Sequence, residues 1–209
     1  MVFKDRADAG KKLARELTSH FRPQEKNPVI ISLLRGGVVV GDMIARELRA
    51  KHLPLAVAKI SAPGSPELAI GAVCFDITYL EKDVIDSLKP SRLELIRQIQ
   101  IGRMKFQSYA KKFELKKTGF EHSLPKKTAI LVDDGIATGS TMRAAALFVK
   151  KQKPKKIILA SPVAPDDFDT RGFDEIIILH RGVGFSSVSQ FYESFPQIED
   201  SMVKKILEK

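Results

Sequence analysis

The segment AILVDDGIATGST, residues 129–141, runs from four apolar residues through two adjacent carboxylates into a stretch of small and hydroxyl-bearing residues. A short β-branched-rich run closing on Asp133 reads as a buried strand, and the small residues after it read as a turn opening a helix over Ser140–Lys151. In an open parallel sheet, ligands collect where strand ends lead into helix N-termini, because backbone N–H groups and the helix dipole converge there. Gly135 and Gly139 permit close backbone approach or positive φ, and Thr138, Ser140 and Thr141 add hydroxyl donors, so the loop suits an anion. Two carboxylates beside it would repel a bare phosphate. Their natural partners are hydroxyls of the same ligand, or a divalent cation that the ligand brings. A sugar phosphate meets both requirements.

Outward from this segment the pattern repeats. NPVIISLL (27–34) reads as a buried strand ending at Arg35-Gly36-Gly37, and Val40, Met43, Ile44 and Leu48 follow at helical spacing. PLAVAKI (54–60) supplies the next strand of a βαβ unit, with Lys59 near its end on the same rim. KIILA (156–160) and EIIIL (175–179) add two more short apolar strands, and a helix from about Ala7 to Phe21 opens the chain. Continuous apolar strands are covered on both faces. The expected class is therefore α/β: an open, mainly parallel sheet flanked by helices. Residues 61–127 break the rhythm with a Pro/Gly-rich loop (SAPGSPE), a short apolar stretch (AIGAVCF) and mainly helical, basic sequence from about Ser91 to Lys117. The simplest organisation is one domain over 1–209 with this segment inserted as a helical hood.

Composition bounds the function. With 44% hydrophobic and 29% charged residues, a single Cys74 and no Trp, the 209-residue chain is expected to be a soluble globular protein of a reducing cytoplasm, without a disulfide framework. MVFKDRADAGKKLAREL lacks the apolar core of a signal peptide and no run approaches membrane-spanning length, so neither export nor a membrane partner is expected. A net charge of +10 favours anionic partners. Part of the excess is local: between Arg103 and Lys127 eight Lys or Arg face only Glu114 and Glu121. Sparse aromatics and no RNA-binding signature favour a solvated helix face there over a nucleic-acid groove.

Other readings of the decisive segment fare worse. A Walker A loop needs Gly-Lys-Ser/Thr, whereas Ser140 follows Gly139 directly. A receiver domain places its acidic pair after the first strand, and in this 209-residue chain the residues after Asp134 are too few for the rest of that fold. A plain polar turn with Thr and Ser capping the helix is the bland alternative.

AILVDDGIATGST resembles the signature of type I phosphoribosyltransferases, which bind 5-phosphoribosyl 1-pyrophosphate (PRPP). LLRGGVVVG (33–41) resembles that family's pyrophosphate loop, and FKDRADAG, KISAPGSPELAIGAV (59–73) and SVSQFYESF (187–195) resemble a group of stand-alone bacterial and archaeal members. The resemblance spans nearly the whole chain. It implies that Asp133 and Asp134 hold the ribose hydroxyls, directly or through Mg²⁺, and that Ala137, Thr138, Gly139, Ser140 and Thr141 surround the 5-phosphate. It further implies that Arg35, Gly36, Gly37 and Lys59 meet the pyrophosphate, with a non-proline cis peptide joining Leu34 to Arg35. SAPGSPE has the composition of a lid hinge, and Lys82, Arg92, Arg97 and Arg103 are open candidates for a basic residue carried to the pyrophosphate by a mobile loop.

The implied reaction is displacement at the anomeric carbon by a nitrogenous base or related nucleophile, with Mg²⁺ as cofactor and a homo-oligomer as the usual assembly. Hypoxanthine-guanine enzymes place an Asp at the third position after the paired acids; Ala137 stands there, which counts against 6-oxopurines and resembles adenine and uracil enzymes. HRGVGFSSVSQFY (180–192) occupies a second acceptor-contacting position, with Phe185, Phe191 and Tyr192 as stacking candidates, although core packing suits at least two of them better. His180 closing a strand suits a structural hydrogen-bonder, Cys74 suits the core, and the acidic turn around Asp166, Asp167 and Asp169 carries no assigned chemistry. Two competing functions stand beside transfer: a non-catalytic PRPP sensor that binds nucleic acid, and a hydrolase of PRPP-like sugar phosphates.

Overall fold

The computed structural model of the chain describes residues 2–20, 27–182 and 184–208. Its main sheet is built from β1 (Val29–Leu33), β2 (Lys51–Leu55), β6 (Thr128–Val132), β7 (Lys156–Pro165) and β8 (Glu175–Gly182), in the order β2-β1-β6-β7-β8. All neighbours run parallel. Every residue of β1 and β6 is buried, as continuous apolar runs require. Alternate residues serve opposite faces. Val29, Ile31, Leu33, Ala129 and Leu131 pack with Phe148 and Val149 of helix α6 (Ser140–Lys151), whereas Ile30, Ile130 and Val132 pack with Leu13 and Leu17 of α1 (Arg6–His20) and Val40 and Ile44 of α2 (Gly36–Glu47). Each fully buried Ile or Leu contributes roughly 2 kcal/mol of transfer free energy, so the centre of this sheet is its most strongly held part. The opening helix matches its expected span apart from Phe21, which lies outside the described residues.

PLAVAKI is not one strand. The chain leaves the main sheet after Leu55, and β3 (Ala58–Ala62) begins a separate antiparallel sheet with β4 (Ser65–Cys74) and β5 (Ile77–Leu80). The patterns differ physically: β3 buries Ala58, Ile60 and Ala62 while Lys59 and Ser61 are half-buried, the alternation of a one-sided sheet. Pro54 is tolerated in β2 because that strand lies at an edge of the main sheet. The hood therefore starts at Ala58, and its apolar stretch AIGAVCF lies in strand β4 up to Cys74, with Phe75 in the turn that follows. SAPGSPE is correspondingly a tight hairpin tip, with Gly64 at φ +72°, and not an extended loop.

Helices α3 (Lys82–Leu88), α4 (Arg92–Lys112) and α5 (Lys117–Ser123) complete the hood. Helix α4 opens on a capping box in which Ser91 Oγ accepts from Glu94 N–H and the Glu94 carboxylate accepts from Ser91 N–H at 2.9 Å. Of the eight basic residues between Arg103 and Lys127, all but the half-buried Lys117 are exposed. A 3-10 turn (Val188–Phe191) and α7 (Asp200–Leu207) close the described chain.

Candidate active site

Strands β1 and β6 are adjacent and parallel, with Ile31 beside Leu131 and Ser32 beside Val132. Their ends therefore deliver Leu34-Arg35-Gly36-Gly37 and Asp133-Asp134 to one point of the rim. The approach is so close that a Cβ built at Gly36 would stand 1.8 Å from Asp134 Oδ2, and one at Gly37 would lie 3.0 Å from Asp133 Oδ1. Glycine at 36 is thus dictated by the neighbouring carboxylate. The Leu34–Arg35 peptide is cis, as expected.

Asp134 is held from three directions. Arg6 Nε donates to its Oδ2 at 2.6 Å, Tyr192 Oη donates to its backbone carbonyl at 2.5 Å, and its own N–H donates to Asp133 Oδ1 at 2.9 Å. Burial, reinforced by the charge of Asp134, pushes the Asp133 carboxyl well above the usual carboxylate range. Burial likewise pushes the Tyr192 phenol up, so it remains a donor.

Beyond the pair, Gly139 takes φ +81° at the head of α6, and any Cβ there would strike Phe168. Ala137 and Thr138 are exposed, Thr141 is half-buried, and Gly139 and Ser140 are buried. The expected hydroxyl donor at Ser140 is already engaged: its Oγ donates to Glu81 Oε1 at 2.8 Å, and Tyr79 Oη donates to the other oxygen of that carboxylate. Arg143 approaches Glu81 at 3.9 Å and donates to Asp169 at 2.8 Å. The acidic turn at Asp169 therefore anchors the first turn of α6.

Arg35 stands at the N-cap position of α2, its Nη1 3.5 Å from Asp200 Oδ1, while Lys112 Nζ meets the other oxygen of Asp200 at 2.6 Å. Lys59 sits elsewhere than expected: on hood strand β3, its Nζ donating to the Glu67 carbonyl at 3.1 Å across the hairpin. Phe191 and Tyr192 are buried with Phe3 and Val163, confirming core packing for two of the three stacking candidates. Phe185 is half-buried against Phe191, His180 packs on the same ring, and Cys74 is buried in the core. Arg6, Glu81 and Asp200 are the site-bordering residues that sequence reasoning left without a role. FKDRADAG stood out by resemblance, but nothing in it singled out Arg6.

The profile of the phosphoribosyl transferase domain matches residues 3–175. The chain belongs to the phosphoribosyl transferase family. Two Mycobacterium tuberculosis proteins, from strains CDC 1551 and H37Rv, whose names assign them provisionally to the phosphoribosyl transferases, are each 34% identical over the whole chain. That alignment covers 47% of each, so the chain spans about half the length of these relatives. Among solved structures, TT1426 from Thermus thermophilus is 31% identical with a TM-score of 0.76, covering 99% of this chain and 98% of its own. The five-stranded parallel sheet with flanking helices is that of type I phosphoribosyltransferases. Among the described residues no helix is long and apolar enough to cross a membrane.

Proposed function

We propose that the chain transfers the 5-phosphoribosyl group of PRPP to a nitrogenous base or related nucleophile. The observation that carries this reading is the contact between Gly36 and the Asp134 carboxylate, which joins a pyrophosphate-type loop to a ribose-type acidic pair at the rim. Asp133 and Asp134 would accept hydrogen bonds from the ribose 2- and 3-hydroxyls. The amides of Ala137–Thr141 and the dipole of α6 would hold the 5-phosphate. Arg35 and the amides of Gly36 and Gly37 would meet the pyrophosphate, whose charge grows as its bond to the anomeric carbon breaks. The nucleophile's nitrogen forms the new bond to that carbon, and its proton passes to solvent or a bound base. Lys59, whose ammonium keeps donors beyond the one given to the Glu67 carbonyl, would join the pyrophosphate contacts from the hood.

The donor set fits Mg²⁺ in one way. Among the described residues no cluster of three or more His, Cys, Asp or Glu could cage a metal, and one oxygen of Asp134 already serves Arg6. A cation would therefore arrive bound to PRPP and face Asp133 and Asp134, where it would neutralise the departing pyrophosphate. A homo-oligomer in the cytoplasm belongs to the same proposal. Ala137 favours an acceptor other than a 6-oxopurine. Incubation with Mg²⁺, PRPP and a panel of free bases tests the reading: pyrophosphate release dependent on one base supports transfer, release with no base indicates hydrolysis, and no release with any base counts against both.

A further inference from the structure

The opening motif FKDRADAG has no part in the transfer chemistry above, yet the fold carries it to the acidic pair. Phe3 is fully buried and bridges Tyr192: its N–H donates to the Phe191 carbonyl at 2.8 Å and its carbonyl accepts from Glu193 N–H at 2.8 Å. This strap fixes the start of α1, whose first residue is Arg6. A cation in the first turn of a helix opposes the macrodipole, so its placement there needs another partner. Arg6 has three. Nε donates to Asp134 Oδ2 at 2.6 Å, Nη1 donates to the Pro196 carbonyl at 2.7 Å, and Cζ lies 3.6 Å above the Phe195 ring. The residue is 7% exposed, so the ion pair is little screened by solvent.

The guanidinium lowers the charge of the Asp133–Asp134 cluster and occupies one of its carboxylate oxygens. The remaining oxygens can still accept from two hydroxyls, because hydrogen bonding to a neutral diol needs acceptors and no net charge. A free divalent cation needs the opposite: uncommitted oxygens and a strongly negative site. We propose that Arg6 is a positioning residue of the ribose site, a fixed counter-ion that reserves the acidic pair for a sugar diol and keeps it from capturing a free divalent cation. This inference rests on the PRPP reading above.

Calorimetry on the full chain, with Mn²⁺ alone and separately with PRPP at saturating Mg²⁺, tests it. Arg6→Gln should bind Mn²⁺ at least about tenfold more tightly than wild type and PRPP at least about tenfold more weakly, since one nearby charge is worth several-fold at the dielectric of water and more than a power of ten at an intermediate one. Arg6→Lys, which keeps the charge and loses the fork, should keep the wild-type Mn²⁺ affinity and recover part of the PRPP affinity. If Arg6→Gln melts below the assay temperature, Arg6→Met, which keeps an apolar stem against Phe195 and removes the charge, carries the Mn²⁺ arm, and wild-type Mn²⁺ affinity in that variant overturns the proposal. Weakened PRPP binding with unchanged Mn²⁺ affinity in Arg6→Gln would make Arg6 merely structural and also overturns it. The Mn²⁺ arm does not involve PRPP. A wild-type protein that ignores PRPP while Arg6→Gln gains Mn²⁺ affinity therefore sinks the transferase reading and leaves the counter-ion role standing.

Discussion

Arg35 and Asp200 face each other across 3.5 Å, tying the pyrophosphate-type loop to the first residue of the last helix. The hydrogen bond from Lys112 holds the Asp200 carboxyl below its usual range, so it is ionised at neutral pH. A fixed negative charge beside Arg35 competes with any anion that Arg35 is to bind. At this distance and exposure its ordering effect is small, because solvent screens the pair. Charge competition should therefore win: Asp200→Asn is expected to lower the PRPP KM by roughly threefold, with little change in melting temperature. Steady-state kinetics check this, and a raised KM would show that Asp200 chiefly orders Arg35.

Gly36 offers a sharper perturbation. A methyl group there must displace the Asp134 carboxylate, which Arg6 Nε holds at 2.6 Å. Gly36→Ala should cost about 1–3 kcal/mol of stability from overpacking and abolish measurable PRPP binding. Gly64→Ala is the control. A Cβ at Gly64 meets nothing within 4 Å and bears only the penalty of φ +72°, about 1 kcal/mol, so PRPP binding should survive.

Within the phosphate-type loop, the hydroxyls are expected to differ. Ser140 Oγ is turned to Glu81 and its residue is buried, whereas among the described residues no such acceptor draws Thr141 away. Ser140→Ala should therefore reduce stability by about 1 kcal/mol, leaving the PRPP KM within roughly twofold, while Thr141→Val raises that KM about tenfold. Equal effects of the two substitutions on KM would contradict this division.

Stability should fall in acid for a reason far from the site. His52 on β2 is bonded to the fully buried Ser32 at 2.8 Å, and burial lowers its pKa to about 4 from an unfolded value of 6.5. Between those values the unfolded chain binds the extra proton, so stability is complete above pH 6.5 and is lost as pH falls toward 4, by up to about 3 kcal/mol. Thermal melts from pH 7.5 to 4 should show this slope. The double variant Ser32→Ala/His52→Phe, which removes both hydrogen-bonding partners, should flatten it.

Much of the sheet was legible because β1 and β6 are short, mainly apolar runs, broken within β1 only by Ser32 and followed closely by Gly36 and by Asp133. The helix over Ser140–Lys151 was legible because its apolar positions repeat at helical spacing. The bend between β2 and β3 was not, since Ala56 and Val57 join two apolar strands without any Gly or Pro to mark a change of sheet. The far halves of β7 and β8 were hidden as well: Ser161, Pro162, His180 and Arg181 interrupt the apolar pattern, yet Val163 pairs with His180 and Ala164 with Arg181. At the site, the acidic pair and the Gly135–Thr141 loop follow from local chemistry, and the Arg35-Gly36-Gly37 loop from its resemblance to the family's pyrophosphate loop. Arg6, Glu81 and Asp200 do not, because each reads locally as a solvated charge beside a helix start and acquires its role only through partners 59 to 165 residues away.

PRPP binding by isothermal titration calorimetry with Mg²⁺ present, compared between wild type and the Asp133→Asn/Asp134→Asn variant, reaches the core of the account. A saturable heat in wild type that vanishes in a variant still folded by circular dichroism is the expected result. No heat in wild type, or the same heat in both proteins, would contradict it.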